Sequence, residues 1–147
     1  MDIPVSLYGS LAQEGEIYFF TKDCPKGIGI PDHPHILIRN NGSYLFLNTC
    51  SSQITTSIQL ATLRGWDSRT YPVIKRDSFN NLMKDSYVDC NQFVELSPER
   101  FGELMSEGKI KRDVGNGVIT EAQLAVIRQG IKLSVNISDE DKERLLK

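Results

Sequence analysis

His35-Ile36-Leu37-Ile38-Arg39, Asn40-Asn41-Gly42 and Ser43-Tyr44-Leu45-Phe46-Leu47-Asn48 follow one another without a break, and their pattern decides the fold. Two short apolar runs flank an Asn-Gly step. Both turn residues tolerate positive φ, so the pattern predicts a β-hairpin. Upstream, Glu16-Ile17-Tyr18-Phe19-Phe20-Thr21 is rich in aromatic and β-branched residues and reads as another strand. It ends in the turn chemistry of Lys22-Asp23-Cys24-Pro25-Lys26-Gly27. The glycine-rich stretch Gly27-Ile28-Gly29-Ile30-Pro31-Asp32 follows, a loop of the kind that forms sites. Residues 1–14 carry little pattern and read as a loose lead-in.

Downstream of the hairpin the signal weakens. Residues 49–57 are polar and hydroxyl-rich, Ile58–Leu63 fits either a strand or one helical turn, and Arg64–Arg69 reads as an exposed loop. Tyr71-Pro72-Val73-Ile74-Lys75 predicts an edge strand, because proline cannot donate to a central ladder. Ser86–Leu96 predicts a further strand. Tyr87, Asp89, Asn91 and Phe93 would lie on one of its faces, with Val88, Cys90, Gln92 and Val94 on the other.

The period then changes from two to that of a helix. Ser97-Pro98-Glu99 supplies an N-cap, a proline at the first helical position and an acid in the first turn. That helix carries Phe101, Leu104 and Met105 inward and stops at Gly108. Thr120-Glu121-Ala122-Gln123 is a capping box opening a helix with Leu124, Ile127 and Ile131 on one face. Ser138 starts a last helix that runs through Leu146. Strands in the first two-thirds and helices in the last third predict one α+β domain over residues 1–147.

Bulk properties narrow the classes. The 147 residues match the usual length of one domain. No apolar run approaches the roughly 20 residues of a membrane helix. Met1-Asp2-Ile3-Pro4 lacks the basic start of a signal peptide, so a cytoplasmic protein with no membrane partner is expected. Cys24, Cys50 and Cys90 are odd in number, widely spaced and without a CxxC pair. They read as reduced, partly buried thiols rather than as a disulfide or zinc framework. Gly27-x-Gly29 is too short for a phosphate fingerprint. No cofactor and no metal are expected.

A net charge of −2 argues against strong non-specific nucleic-acid binding. The charge is unevenly placed, however. From Phe20 to Arg76, Lys22, Lys26, Arg39, Arg64, Arg69, Lys75 and Arg76 face only Asp23, Asp32 and Asp67, seven bases against three acids. That segment is a candidate basic face.

The order of these pieces resembles the PemK/MazF family of small toxins. The strand at Gly15–Phe20, the Gly/Pro-rich loop, the strand opening at His33-Pro34-His35, the hydroxyl stretch at Thr49, and Ser86–Gln92 ahead of two helices carry the likeness, over roughly residues 15–134. The resemblance implies an SH3-like antiparallel barrel followed by C-terminal helices. It also implies metal-independent RNA cleavage, a homodimer and a small antitoxin protein as partner. The family's hydroxyl position falls on Thr49, with Ser51 or Ser52 beside it. Its Arg-Pro position reads His33-Pro34 here, a departure at the catalytic apparatus.

RNA cleavage without metal uses the 2′-hydroxyl as nucleophile and needs a base, an acid and donors for the phosphorane charge. Histidine titrates near working pH, and the only two histidines flank Pro34. On an extended strand His33 and His35 share a face. His33, His35 and Thr49 are therefore the candidate catalytic residues. Lys22, Lys26, Arg39, Arg64, Trp66 and Arg69 are the candidate RNA-binding residues, with Trp66 and Tyr71 available to stack on bases. A non-catalytic protein- or RNA-binding module on the same fold is the competing reading, because fold does not dictate activity. A small-molecule enzyme is a third, to which no motif assigns a cofactor.

Overall fold

In the computed structural model, residues 5–21, 33–51, 59, 62–112 and 115–147 are described. Helix α1 (Val5–Leu11) precedes strands β1 (Ile17–Phe20), β2 (His33–Asn40) and β3 (Leu45–Ser51). A 3-10 turn (Ser68–Thr70) leads to β4 (Val73–Ile74), β5 (Ser86–Val88) and β6 (Val94–Leu96). Helices α2 (Pro98–Ser106), α3 (Glu121–Leu133) and α4 (Asp139–Leu146) complete the chain. The fold is α+β: a six-stranded antiparallel sheet in the order β1-β2-β3-β5-β4, with β6 also paired to β3, followed by C-terminal helices.

The hairpin forms where the sequence puts it, with Asn40 opposite Leu45 and Leu37 opposite Leu47. Its turn is four residues long rather than two. Asn41 Oδ1 accepts from the backbone N–H groups of Ser43 (2.9 Å) and Tyr44 (2.8 Å), and only Gly42 takes a positive φ, 87°. Asparagine thus acts here through its side chain, closing the turn as a backbone carbonyl would.

Both faces of the sheet are covered. Tyr18, Phe20, Leu37, Leu45 and Leu47 meet Phe101 of α2, Ile110 and Ala12. Ile17, Ile36, Phe46, Cys50 and Val88 meet Leu124, Ile127 and Ile131 of α3, together with Leu145 of α4. Two buried faces explain why Ile17–Phe20 and Ile36–Ile38 are apolar at successive positions instead of alternating. The N-terminal segment read as a loose lead-in contains α1. It lies so close to α2 that a Cβ on Gly9 would sit 2.5 Å from the Pro98 carbonyl oxygen.

The sheet is not closed into a barrel. β1 and β4 end it, and they do not pair with each other. The outer edge of β1 is capped by irregular backbone: Phe19 and Lys111 exchange hydrogen bonds (2.7 and 3.0 Å), and Ile17 N donates to Gly117 O (3.1 Å). Covering an edge in this way removes a template for unwanted strand addition.

The helix starts are as read. Ser97 caps α2 with Pro98 behind it, Thr120 and Gln123 form the capping box of α3, and Ser138 caps α4. Gly108 ends the α2 region at φ 74°. Val73–Ile74 is an edge strand just after Pro72. Of Ile58–Leu63, only Gln59, Thr62 and Leu63 are described.

The expected single strand over Ser86–Leu96 is two strands. Cys50 and Ser51 of β3 pair with β5, while Leu45–Leu47 pair with β6. Between these ladders, Asp89–Phe93 on one strand face only Asn48 and Thr49 on the other. The surplus backbone forms a bulge in which Asp89, Cys90 and Asn91 are buried. Asn48, fully buried, holds it by donating from Nδ2 to Asp89 O (2.9 Å) and Gln92 O (2.8 Å). The alternation assigned to residues 87–94 therefore breaks at Asp89.

Candidate functional site

The bulge, the 3-10 turn and the end of α3 converge on one cleft. It measures about 220 Å³ and is lined by Arg64, Trp66, Tyr71, Asp89, Asn91, Gln92 and Asn136. Glycine permits the convergence. A Cβ on Gly130 of α3 would lie 2.7 Å from Cys90 Sγ and 2.8 Å from Arg69 O, so only glycine lets the helix approach the turn and the bulge this closely.

A continuous polar network fixes the floor. Asn91 is 2% exposed. Its Nδ2 donates to Thr70 Oγ1 (3.0 Å), and its Oδ1 accepts from Ser134 Oγ (2.7 Å). Thr70 Oγ1 donates on to Asp67 O (2.6 Å). Asn136 Nδ2 donates to Asn91 O (2.7 Å). Asp89 is 8% exposed; its Oδ1 accepts from Asn91 N (2.9 Å) and its Oδ2 from Gln92 Nε2 (2.6 Å). Such a network of satisfied buried groups sets the cleft rigidly.

The rim is aromatic and cationic. The Arg64 guanidinium sits over the Trp66 ring, 5.2 Å from its centroid. Burial, reinforced by the Asp89 carboxylate, pushes the Tyr71 phenol above its ordinary range, so it stays protonated and able to donate at neutral pH. Arg69 is turned to Asp67 in a two-pronged pair, Nε to Oδ1 at 3.0 Å and Nη2 to Oδ2 at 2.7 Å. Those bonds pull the Asp67 carboxyl down to about 2.

The candidate catalytic residues sit elsewhere on the sheet. His35 lies between Tyr18 of β1 and Thr49 of β3, so the ladder does bring Thr49 opposite a histidine. Yet the His35 ring is fully buried, stacked on Phe20 with centroids 3.7 Å apart and planes 12° apart. Its Nδ1 lies 2.8 Å from His33 O. His35 therefore packs as a core ring with no direct access to a dissolved substrate, whereas His33 and Thr49 are half-buried. Thr49 O accepts from Asp89 N (2.9 Å), joining its strand to the bulge behind the cleft.

Arg39 is not among the cleft-lining residues. It donates to Lys147 O (2.8 Å) and pairs with Glu14 at 3.6 Å, tying the end of β2 to the last helix. Lys22 and Lys26 lie outside the described residues, as does Cys24. Cys50 and Cys90 are free, buried thiols, as read from the sequence. Among the described residues, no group of three or more His, Cys, Asp or Glu is placed to hold a metal ion. No helix there is long and apolar enough to cross a membrane.

Arg64, Trp66 and Tyr71 were readable as one aromatic and basic cluster, and Asp89, Asn91 and Gln92 as polar intrusions in an apolar strand. Asn136, Ser134, Thr70 and Asn48 were not. Their only local signal is a polar residue interrupting or closing an apolar run. Compared with protein-family models and with curated proteins, the chain matches none.

Proposed function

We propose that this chain binds single-stranded RNA through the Trp66 cleft and acts on it as a toxin-type endoribonuclease. The observation that carries the proposal is the cleft itself: an aromatic ring, a guanidinium and a rigid polar floor gathered in a space of about 220 Å³. Unstacked bases are recognised on such surfaces, by stacking on aromatic rings and by hydrogen bonds to their edges. The fold proposed with this activity is an SH3-like barrel of the partly open kind, in which β1 and β4 do not pair directly. Two features support it. β3 serves two ladders in succession, and Val118 N donates to Phe79 O (2.9 Å) on the far side of the segment that caps β1.

In the proposed reaction a 2′-hydroxyl attacks the adjacent phosphorus and the 5′-oxygen leaves, giving a 2′,3′-cyclic phosphate and a 5′-hydroxyl. His33 is the remaining candidate for moving the proton, since His35 is sequestered, and Thr49 is the candidate donor to the phosphorane. The toxin role brings with it a cytoplasmic location, a homodimer and a small antitoxin protein. The test is incubation of purified protein with RNA in the presence of a chelator, followed by end-group analysis. Cyclic phosphate ends are expected, with the rate lowered by about 100-fold or more in His33→Ala and Thr49→Ala. RNA left intact across a range of pH would overturn catalysis.

Burial of His35 favours a second reading, a non-catalytic RNA-binding module on the same fold. It predicts retention of RNA without cleavage, weakened in Trp66→Ala. Capture of a protein in preference to RNA would point instead to a protein-binding module.

A further inference from the structure

The cleft is small. At about 220 Å³ it falls below the roughly 300–1,000 Å³ of cavities that take drug-sized ligands, and suits a single planar ring. Its polar groups are unequal. An ionised carboxylate accepts at about four lone-pair positions and donates none. Two of those on Asp89 are taken by Asn91 N and Gln92 Nε2, and the rest of the group borders the cleft. Asn91 is engaged at both ends by Thr70 and Ser134, and Asn136 Nδ2 is turned to the Asn91 carbonyl. Donors at the cleft include the Tyr71 hydroxyl, which itself accepts from the Asn91 side chain, and Arg64 at the rim. They suit the O2 carbonyl common to both pyrimidines, or a phosphate.

Building on the RNA-binding role argued above, we propose that the cleft selects a base bearing an exocyclic amine, cytosine in preference to uracil, with Asp89 as the acceptor that reads it. The two pyrimidines have nearly the same shape. They differ at C4, where cytosine presents an N–H donor to a carboxylate and uracil a carbonyl that the carboxylate repels. They differ also at N3, where uracil keeps an N–H and cytosine a lone pair, so the preference requires Asp89 to face C4. An aspartate accepting from cytosine N4 is an established pairing chemistry. Stacking on Trp66 serves either base and so sets affinity, while Asp89 sets the difference between them.

Trp66 is the only tryptophan in the chain, so its fluorescence reports the cleft directly. Titration of the purified protein with 5′-CMP, 5′-UMP and N4,N4-dimethyl-CMP is the test. CMP is expected to quench with about tenfold higher affinity than UMP, and the dimethylated nucleotide, which has lost the amine donors, to fall to the level of UMP. Asp89→Asn, shown to be folded by circular dichroism, should abolish or invert the preference because its amide presents a donor. The comparison of ligands on the unaltered protein needs no variant to fold. Equal quenching by CMP and UMP would overturn the selectivity while leaving RNA binding at the cleft intact. Absence of quenching by every nucleotide and by a short mixed-sequence RNA would remove the RNA-binding role, and the selectivity with it.

Discussion

The Asn48 side chain is completely buried, and its amide nitrogen donates to the carbonyls of both Asp89 and Gln92. Removing that amide takes the donor from two carbonyls, of which the Asp89 carbonyl makes its bond in a buried site. Asn48→Ala should therefore lower stability by about 1–3 kcal/mol, read from the urea midpoint. An unchanged midpoint would mean that the bulge is held by other contacts. A second residue-scale effect concerns acid. Arg69 donates to Asp67 from both its side chain and its backbone N–H, holding the carboxyl at about 2. A carboxyl lowered on folding stabilises the protein above its unfolded pKa of about 3.9, and that contribution is lost as pH falls through the folded value. Carbon-detected NMR titration should find the Asp67 midpoint near 2. In Arg69→Ala the midpoint should rise toward the ordinary carboxylate range, with the retained backbone N–H bond still holding it partly down, and the stability difference between the two proteins should shrink below pH 3 or so.

Elements are placed by contacts that helix and strand propensities do not describe. Gly130 lies inside α3, where an exposed glycine replaced by alanine would gain up to about 1 kcal/mol of helix propensity. Here the new Cβ would lie 2.8 Å from the Arg69 carbonyl, a backbone atom that cannot swing aside, and 2.7 Å from Cys90 Sγ. Overpacking costs about 1–3 kcal/mol and wins over the propensity gain. Gly130→Ala should be destabilised in thermal melts and should alter Trp66 emission as α3 moves away from the turn; a stabilised variant would contradict the packing described. The same comparison explains what could be read of the elements. The capping box at Thr120 and the proline at Pro98 act within one helical turn, so both helix starts were legible. The break at Asp89 was not, because the group that imposes it, Asn48, is 41 positions away in the chain.

At the scale of the molecule, the sheet is buried on both faces, and the thiols of Cys50 and Cys90 lie in the layer between sheet and α3. Burial pushes both thiols up, away from the reactive thiolate. In a Cys24→Ser variant, a thiol reagent at pH 8 should modify neither remaining cysteine in the native protein and both after denaturation. Modification in the native state, at a rate insensitive to stabilising conditions, would show that the layer is open. The candidate site belongs to this scale too. Arg64 and Trp66 are near neighbours in sequence and could be read as a pair. Asn91, Ser134 and Asn136 meet only because α3 returns to the bulge.

What the amino-acid sequence determined alone was the alphabet of elements: an α+β chain, the Asn40–Gly42 hairpin, the edge strand after Pro72, three capped helices and two buried thiols. These follow from backbone preferences and periodicities that neighbours within a few residues impose. Tertiary structure alone decided that the sheet stays open and that Ser86–Leu96 divides. It likewise buried His35 against Phe20 and assembled the cleft around Asp89 and Asn91. Each of those depends on register and packing between segments tens of residues apart, where a side chain's partner is chosen by geometry rather than by proximity in the chain.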